Sequence, residues 1–178
     1  MCIRDSSILT DEKFFGGTLR DIRTARPLVN IPILRKGFII DKYQLLQARI
    51  VGADAVLLIA ACLTPDECHT LTMQAHELGL EVLLEVHSIS ELSYIYKETD
   101  MVGVNNRNLK DFSVDFSNAA RLRDLIPPEA VYVAESGVQS AQDVAALRSI
   151  GADAVLIGET LMRAPDKARR LAELRGNL

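Results

Sequence analysis

Paired cysteines, long apolar runs, an excess of basic charge and a glycine-rich nucleotide-binding turn are all missing from this 178-residue sequence. Cys2, Cys62 and Cys68 form no C-x-x-C pair, so neither a disulfide framework nor a zinc knuckle is supported, and a reducing cytoplasm is the expected compartment. No apolar run approaches the about 18 residues of a membrane span, and the opening MCIRDS has no apolar signal-peptide core. The expectation is a soluble chain that is not exported and has no membrane partner. A formal charge of −4 gives no basic field for a polyanion, so nucleic acid is excluded as a partner and any phosphate must be held locally by a shaped site. The three histidines, His69, His76 and His87, do not pair at metal-ligand spacing, and no metal site is expected.

What is present is the core of one domain. The sequence is 48% hydrophobic, ordinary for a globular protein. Residues 7–178 read as that domain, and residues 1–6 join poorly to the remainder of the chain and are uninformative. Short runs rich in Val, Ile and Leu recur at 8–9, 31–34, 55–59, 82–86, 101–104, 131–134 and 154–157. Continuous rather than alternating hydrophobicity predicts strands buried on both faces, as in a parallel sheet. Between them lie helix signals. Thr64-Pro65-Asp66-Glu67 combines a capping box with proline at the first helical position, and Gly79 closes that helix. Ser88 to Glu91 and Ser140 to Asp143 repeat the box, while Gly52 and Gly151 sit where helix C-terminal glycines belong.

An internal echo sharpens the architecture: VGADAVLLIAACL from Val51 and IGADAVLIGETLM from Ile150 are nearly the same phrase. Four βα units between them would average about 25 residues each, the scale of a (β/α)8 barrel of roughly 200 to 250 residues. An open doubly wound sheet is the competing architecture, but its G-x-G-x-x-G turn is absent. Seven strands are found where the barrel has eight. The expectation is therefore a TIM barrel lacking its N-terminal helix and first βα unit.

In such barrels the chemistry gathers at the C-terminal ends of the strands. Here successive runs end in polar residues: Lys36, Glu85 with His87, Asn105 with Arg107, Glu135 with Ser136, and Gly158 with Glu159. Period-two alternation puts Leu34, Lys36 and Phe38 on one face of their strand, Glu85 with His87 on one face of theirs, and Asn105 with Arg107 on one face of theirs. Facing inward, they bring a lysine, a carboxylate and a guanidinium to one mouth. Structural readings stand beside the chemical one. Lys36 can be an interior lysine neutralised by Glu85 or Glu135, Asn105 a partner for backbone groups, Arg107 a neutraliser of carboxylates and His87 a polar helix-start partner. Gly137 and Gly158, each just past a strand, suit the phosphate-binding loops of such barrels; Gly16-Gly17 is a weaker candidate.

In order, LTDEKFFGG, PILRKGF, GADAVLLI, LLEVH, GVNNRNL, VAESGV and AVLIGETLMR closely resemble the indole-3-glycerol phosphate synthase family, from Ser7 to Pro165. The resemblance implies ring-closing decarboxylation and dehydration of 1-(2-carboxyphenylamino)-1-deoxyribulose 5-phosphate, a step of tryptophan biosynthesis that needs no metal or organic cofactor. It implies Lys36 as a general acid, Glu85 in proton transfer during dehydration, and Asn105, Arg107, Glu135 and Ser136 as active-site positions. Gly137, Gly158 and Glu159 correspond to the phosphate loops, and Phe15, Phe38, Leu57, Leu109 and Leu156 to the apolar wall around the anthranilate ring. An ammonium suits the acid role if burial or a neighbouring cation lowers its pKa toward neutrality. Some relatives are fused to other enzymes of the tryptophan pathway, so fusion or association is an implied partnership.

Two departures stand out. The family's E-x-K-x-x-S-P-S segment, with a second catalytic lysine, a glutamate and a serine, is absent, and the family's Lys-Asp-Phe reads Lys36-Gly37-Phe38. Two alternatives remain open: another phosphate-binding barrel enzyme such as phosphoribosylanthranilate isomerase, and an inactive barrel fragment.

Overall fold

A computed structural model describes residues 6–107 and 117–176. Seven strands pair in sequence order, every pair parallel: β1 (Ser6–Leu9), β2 (Ile33–Lys36), β3 (Ala55–Ile59), β4 (Glu81–Val86), β5 (Met101–Asn105), β6 (Val131–Glu135) and β7 (Ala154–Leu156). The helices are α1 (Glu12–Phe15), α2 (Leu19–Ala25), α3 (Lys42–Val51), α4 (Pro65–Glu77), α5 (Ser117–Arg123), α6 (Ala141–Ser149), α7 (Glu159–Met162) and α8 (Lys167–Leu174). The sheet curls into a half-barrel with β1 and β7 at its edges.

The unbroken apolar runs are explained by two separate cores. Ile33, Val56, Leu58, Val82, Leu84 and Val102 face outward and pack with helix residues such as Leu45, Leu71 and Leu147. Leu34, Ala55, Leu57, Leu83 and Val133 face inward and form their own cluster. Successive residues of the runs in β3 and β4 are thus buried on one side or the other, at about 1.5–3 kcal/mol per large side chain.

Strand β2 begins two residues later than the run at 31–34 suggests. Ile31 is exposed and Pro32 has no N–H for a ladder, so the paired segment slides forward and takes in Lys36. The boxes at Thr64 and Ser140 form as expected, each side chain accepting an N3 amide while Glu67 or Asp143 returns the bond. The box at Ser88 does not. Ser88 makes no side-chain cap, Glu91 accepts from the His87 N–H, and the segment Ile89–Tyr94 winds as a 3-10 helix.

The echoed G-A-D has a structural cause. Asp54, just before β3, accepts a hydrogen bond from the Ile33 amide of β2 at 2.8 Å. Asp153, just before β7, accepts from Tyr132 of β6 at 2.9 Å, and Asp100, before β5, from Val82 of β4 at 2.8 Å. Gly52 and Gly151 are left-handed, and the side chains of Arg26 and Arg123 lie where a Cβ would stand. The repeated phrase is a clasp at the N-terminal end of the sheet, away from the polar rim.

Candidate active site

The inner residues of β2, β4 and β6 reach a common height because the strands are tilted. Leu34 pairs with Ala55, so continuing that register sets Lys36 beside Leu57, which pairs with Leu83, two residues short of Glu85. Glu85 pairs with Gly103, and Glu135 pairs with Asn105, two residues further on. The climb of two residues for every second strand brings Lys36, Glu85 and Glu135 into one layer contributed by alternate strands. The Lys36 Nζ lies 2.9 Å from Glu135 Oε2 and 3.7 Å from Glu85 Oε2. Leu34, Leu57, Leu83 and Val133 are the apolar floor beneath them.

One ammonium faces two buried carboxylates, and their protonation follows from that imbalance. Burial disfavours the charge on Lys36, but the attraction and hydrogen bonds of Glu135 and Glu85 outweigh it and raise its pKa. The expected lowering therefore does not occur: no described cation lies against Lys36, and two acids do. Burial likewise opposes ionisation of Glu85, yet the His87 hydrogen bond, the Lys36 charge and the Asn105 amide hold it at about 2. For Glu135 burial prevails over Lys36, with repulsion from Glu85 adding to it, and the carboxyl is pushed up to about 7. Among the described residues its Oε1 has no hydrogen-bond partner. His87 Nε2 stands 3.2 Å from Glu85, a contact that raises the imidazole's pKa against its burial.

The sequence-derived residues fall into three groups. Lys36, Glu85, Glu135 and Asn105 come together, Asn105 donating to Glu85 Oε1 at 3.1 Å and accepting the Arg107 N–H at 3.0 Å. Arg107 turns its guanidinium to Glu159, at 2.8 Å, and Glu159 also holds Arg163 at 3.0 Å. The guanidinium thus pairs with Glu159 and not with the lysine cluster. Ser136 and Gly137 make a sharp turn after β6, with φ of 66° and 84°. A left-handed serine is strained backbone of the kind that concentrates at functional sites. Gly158 caps α7, and Thr160 Oγ1 donates to the Val138 carbonyl, tying the loops after β6 and β7 together.

The third group is apolar. Phe15 stacks on Phe38 at 5.9 Å, and Phe14 meets the same ring edge-on at 5.3 Å, with Phe15 48% exposed. Leu57 is buried in the floor and Leu156 packs half-buried against it. Leu109 lies outside the described residues. Gly16 is the left-handed cap of α1, and a Cβ at Gly17 would strike the Leu9 carbonyl, which gives this pair a structural reason. Among the described residues, no group of three His, Cys, Asp or Glu is placed to hold a metal, and no helix is long and apolar enough to cross a membrane. His87, read from the sequence as a polar helix-start partner, meets Glu91 through its backbone N–H and stands beside Glu85, two residues away.

Residues 4–174 match the family model described as Indole-3-glycerol phosphate synthase. The chain belongs to the indole-3-glycerol phosphate synthase family. An indole-3-glycerol phosphate synthase of Bacteroides thetaiotaomicron is 60% identical over 165 residues, 93% of this chain and 64% of that protein. Another, from Ruminiclostridium cellulolyticum, is 49% identical, covering 96% of this chain and 66% of the relative. The chain thus spans about two-thirds of the length of these family members. Its fold is similar to that of 3-hexulose-6-phosphate synthase from Salmonella typhimurium (TM-score 0.80, 17% identity, 97% of this chain and 86% of that one). A 3-keto-L-gulonate-6-phosphate decarboxylase from Vibrio cholerae gives a TM-score of 0.74 at 15% identity, over 97% and 84% of the two chains. These two likenesses show the fold alone.

Proposed function

We propose that the chain carries an indole-3-glycerol phosphate synthase active site, closing the indole ring of 1-(2-carboxyphenylamino)-1-deoxyribulose 5-phosphate with loss of carbon dioxide and water. The observation behind this reading is the Lys36 ammonium set between Glu85 and Glu135 at the mouth of the half-barrel. Lys36 gives a proton to the ribulose carbonyl oxygen as the aromatic carbon bearing the carboxylate attacks the carbonyl carbon. Glu135, its carboxyl pushed up to about 7 and so able to carry a proton near neutral pH, then reloads the lysine, ending as a carboxylate beside an ammonium. Carbon dioxide leaves from the ring carbon, and Glu85 moves the protons of the following loss of water. Phe15, Phe38, Leu57 and Leu156 line the aromatic end of the substrate. The phosphate lies at the Ser136-Gly137 turn and Gly158, with Arg107 and Glu159 at the rim.

In this reading residues 7–178 are one partial barrel domain. It extends to a cytoplasmic protein that uses no metal or organic cofactor and is fused to, or associates with, other tryptophan-pathway enzymes. A second reading, a phosphate-binding barrel without turnover, draws on Gly37, which stands where the family has aspartate.

Both are tested by joining the chain to the N-terminal segment of a family relative and measuring indole-3-glycerol phosphate formation. Lys36→Ala is expected to lower kcat by about 10²–10⁴-fold, the usual range for a positioned proton donor. Equal turnover would remove Lys36 from the chemistry. Calorimetric binding of a reduced substrate analogue without any turnover would favour the second reading.

A further inference from the structure

Gly103 lies on the inner face of β5, paired with Glu85 on one side and Val133 on the other, in the row between the two carboxylates that hold Lys36. A Cβ added there would stand 2.2 Å from Glu135 Oε1, 3.2 Å from Glu135 Cδ and 3.2 Å from Leu83 Cδ1. The Leu83 methyl can give way by a small rotation. The carboxyl group can do so only by giving up its place beside Lys36, because Glu135 is 1% exposed and its other oxygen is the one at 2.9 Å from Lys36. Gly103 is not among the positive-φ glycines, so its backbone is one that any residue adopts. A glycine inside a strand weakens it, and conformation does not require one here. What the position supplies is room.

We propose that Gly103 is a positioning residue: its bare inner face is the slot in which the Glu135 carboxyl group lies, and through that group it sets where the Lys36 ammonium is held. The catalytic consequence rests on the function proposed above, but the geometry does not. A methyl group at this position drives Glu135 off the inner face of β5, and Lys36 is left with Glu85 at 3.7 Å as its remaining acidic partner in the cluster. The slot also explains how a long carboxylic acid is accommodated on β6 without displacing the floor residues Leu83 and Val133.

The test uses this chain unaltered, the variants Gly103→Ala and Glu135→Asp, and their combination. Two quantities are read: the titration midpoint of the Lys36 side chain by carbon-13 NMR, and the thermal midpoint. Gly103→Ala is expected to lower the Lys36 midpoint by about one unit or more, the size of shift a lost close ion pair produces, and to lower Tm. Aspartate is one methylene shorter and vacates the slot, so adding Gly103→Ala to Glu135→Asp should change neither quantity further. An unchanged Lys36 midpoint in Gly103→Ala, or an equal loss of Tm in both backgrounds, overturns the proposal. If Gly103→Ala does not fold, a cooperative transition in the double variant supports it and failure of both overturns it. No readout uses turnover, so an absence of lyase activity would contradict the proposed function while leaving this result standing.

Discussion

At the scale of residues, an ammonium shared by two buried acids leaves one acid without full compensation, and Glu135, the more deeply enclosed, holds its proton to higher pH than an ordinary carboxyl. This predicts how stability varies with pH. A carboxyl whose native pKa is about 7, against an ordinary 4.5, holds a proton in the folded state that the unfolded chain has already released. Raising the pH from 4.5 to 7 therefore lowers stability through Glu135. Glu85 works the other way: held at about 2, it contributes stability above 4.5 that is lost as the pH falls toward 2. Thermal midpoints between pH 4 and 8 should decline less steeply on the neutral side in Glu135→Gln than in the parent; parallel curves would show that Glu135 is not the titrating group. That Lys36 and Glu85 share a mouth was legible from polar residues at period two, and Glu135 from its place at a strand end, but the same alternation put the Arg107 guanidinium with them, where it does not lie. The slot at Gly103 and the raised lysine pKa were not legible, since both depend on strand tilt that carries Glu135 across β5. Nor was the Arg107–Glu159 pair, which joins residues 52 apart in sequence.

At the scale of elements, local chemistry decided most boundaries, and exceptions occurred where tertiary contacts offered a better bond. Thr64 and Glu67 exchange the reciprocal bonds of a capping box, and Pro65 fills a position whose amide would be unpaired in any case. Thr64→Ala should therefore destabilise the protein by about 1 kcal/mol, measurable as a shift in urea midpoint with unchanged slope. Ser88→Ala should have almost no effect in the same experiment, because its hydroxyl caps nothing; it meets the Ser90 hydroxyl at 2.8 Å instead. The sequence pattern at the two sites is alike. What differs is that Glu91 accepts the His87 amide, one residue earlier than a box would place it, so the chain turns tightly and no α-helix starts.

At the scale of the molecule, the half-barrel is most secure in its middle. Strands β3, β4 and β5 are flanked on both sides and almost wholly buried, whereas β1 alternates between half-buried and exposed and β7 is a half-buried strand of three residues. Amide exchange should accordingly release β1 and β7 first and β3 to β5 last; equal protection throughout would mean that the edges are covered in solution. Parallel topology and strand number were readable from the spacing of the runs, but closure could not be read, because it is a property of the two edges and no run encodes it. The aspartate clasps bear on how the rim can change. Each charged member of the cluster stands three residues past a clasped amide: Lys36 after Ile33, Glu85 after Val82, Glu135 after Tyr132. The far end of the sheet thus acts as a datum line from which reach is measured, and substitutions among the mouth loops can retune chemistry without disturbing the gauge that aligns it.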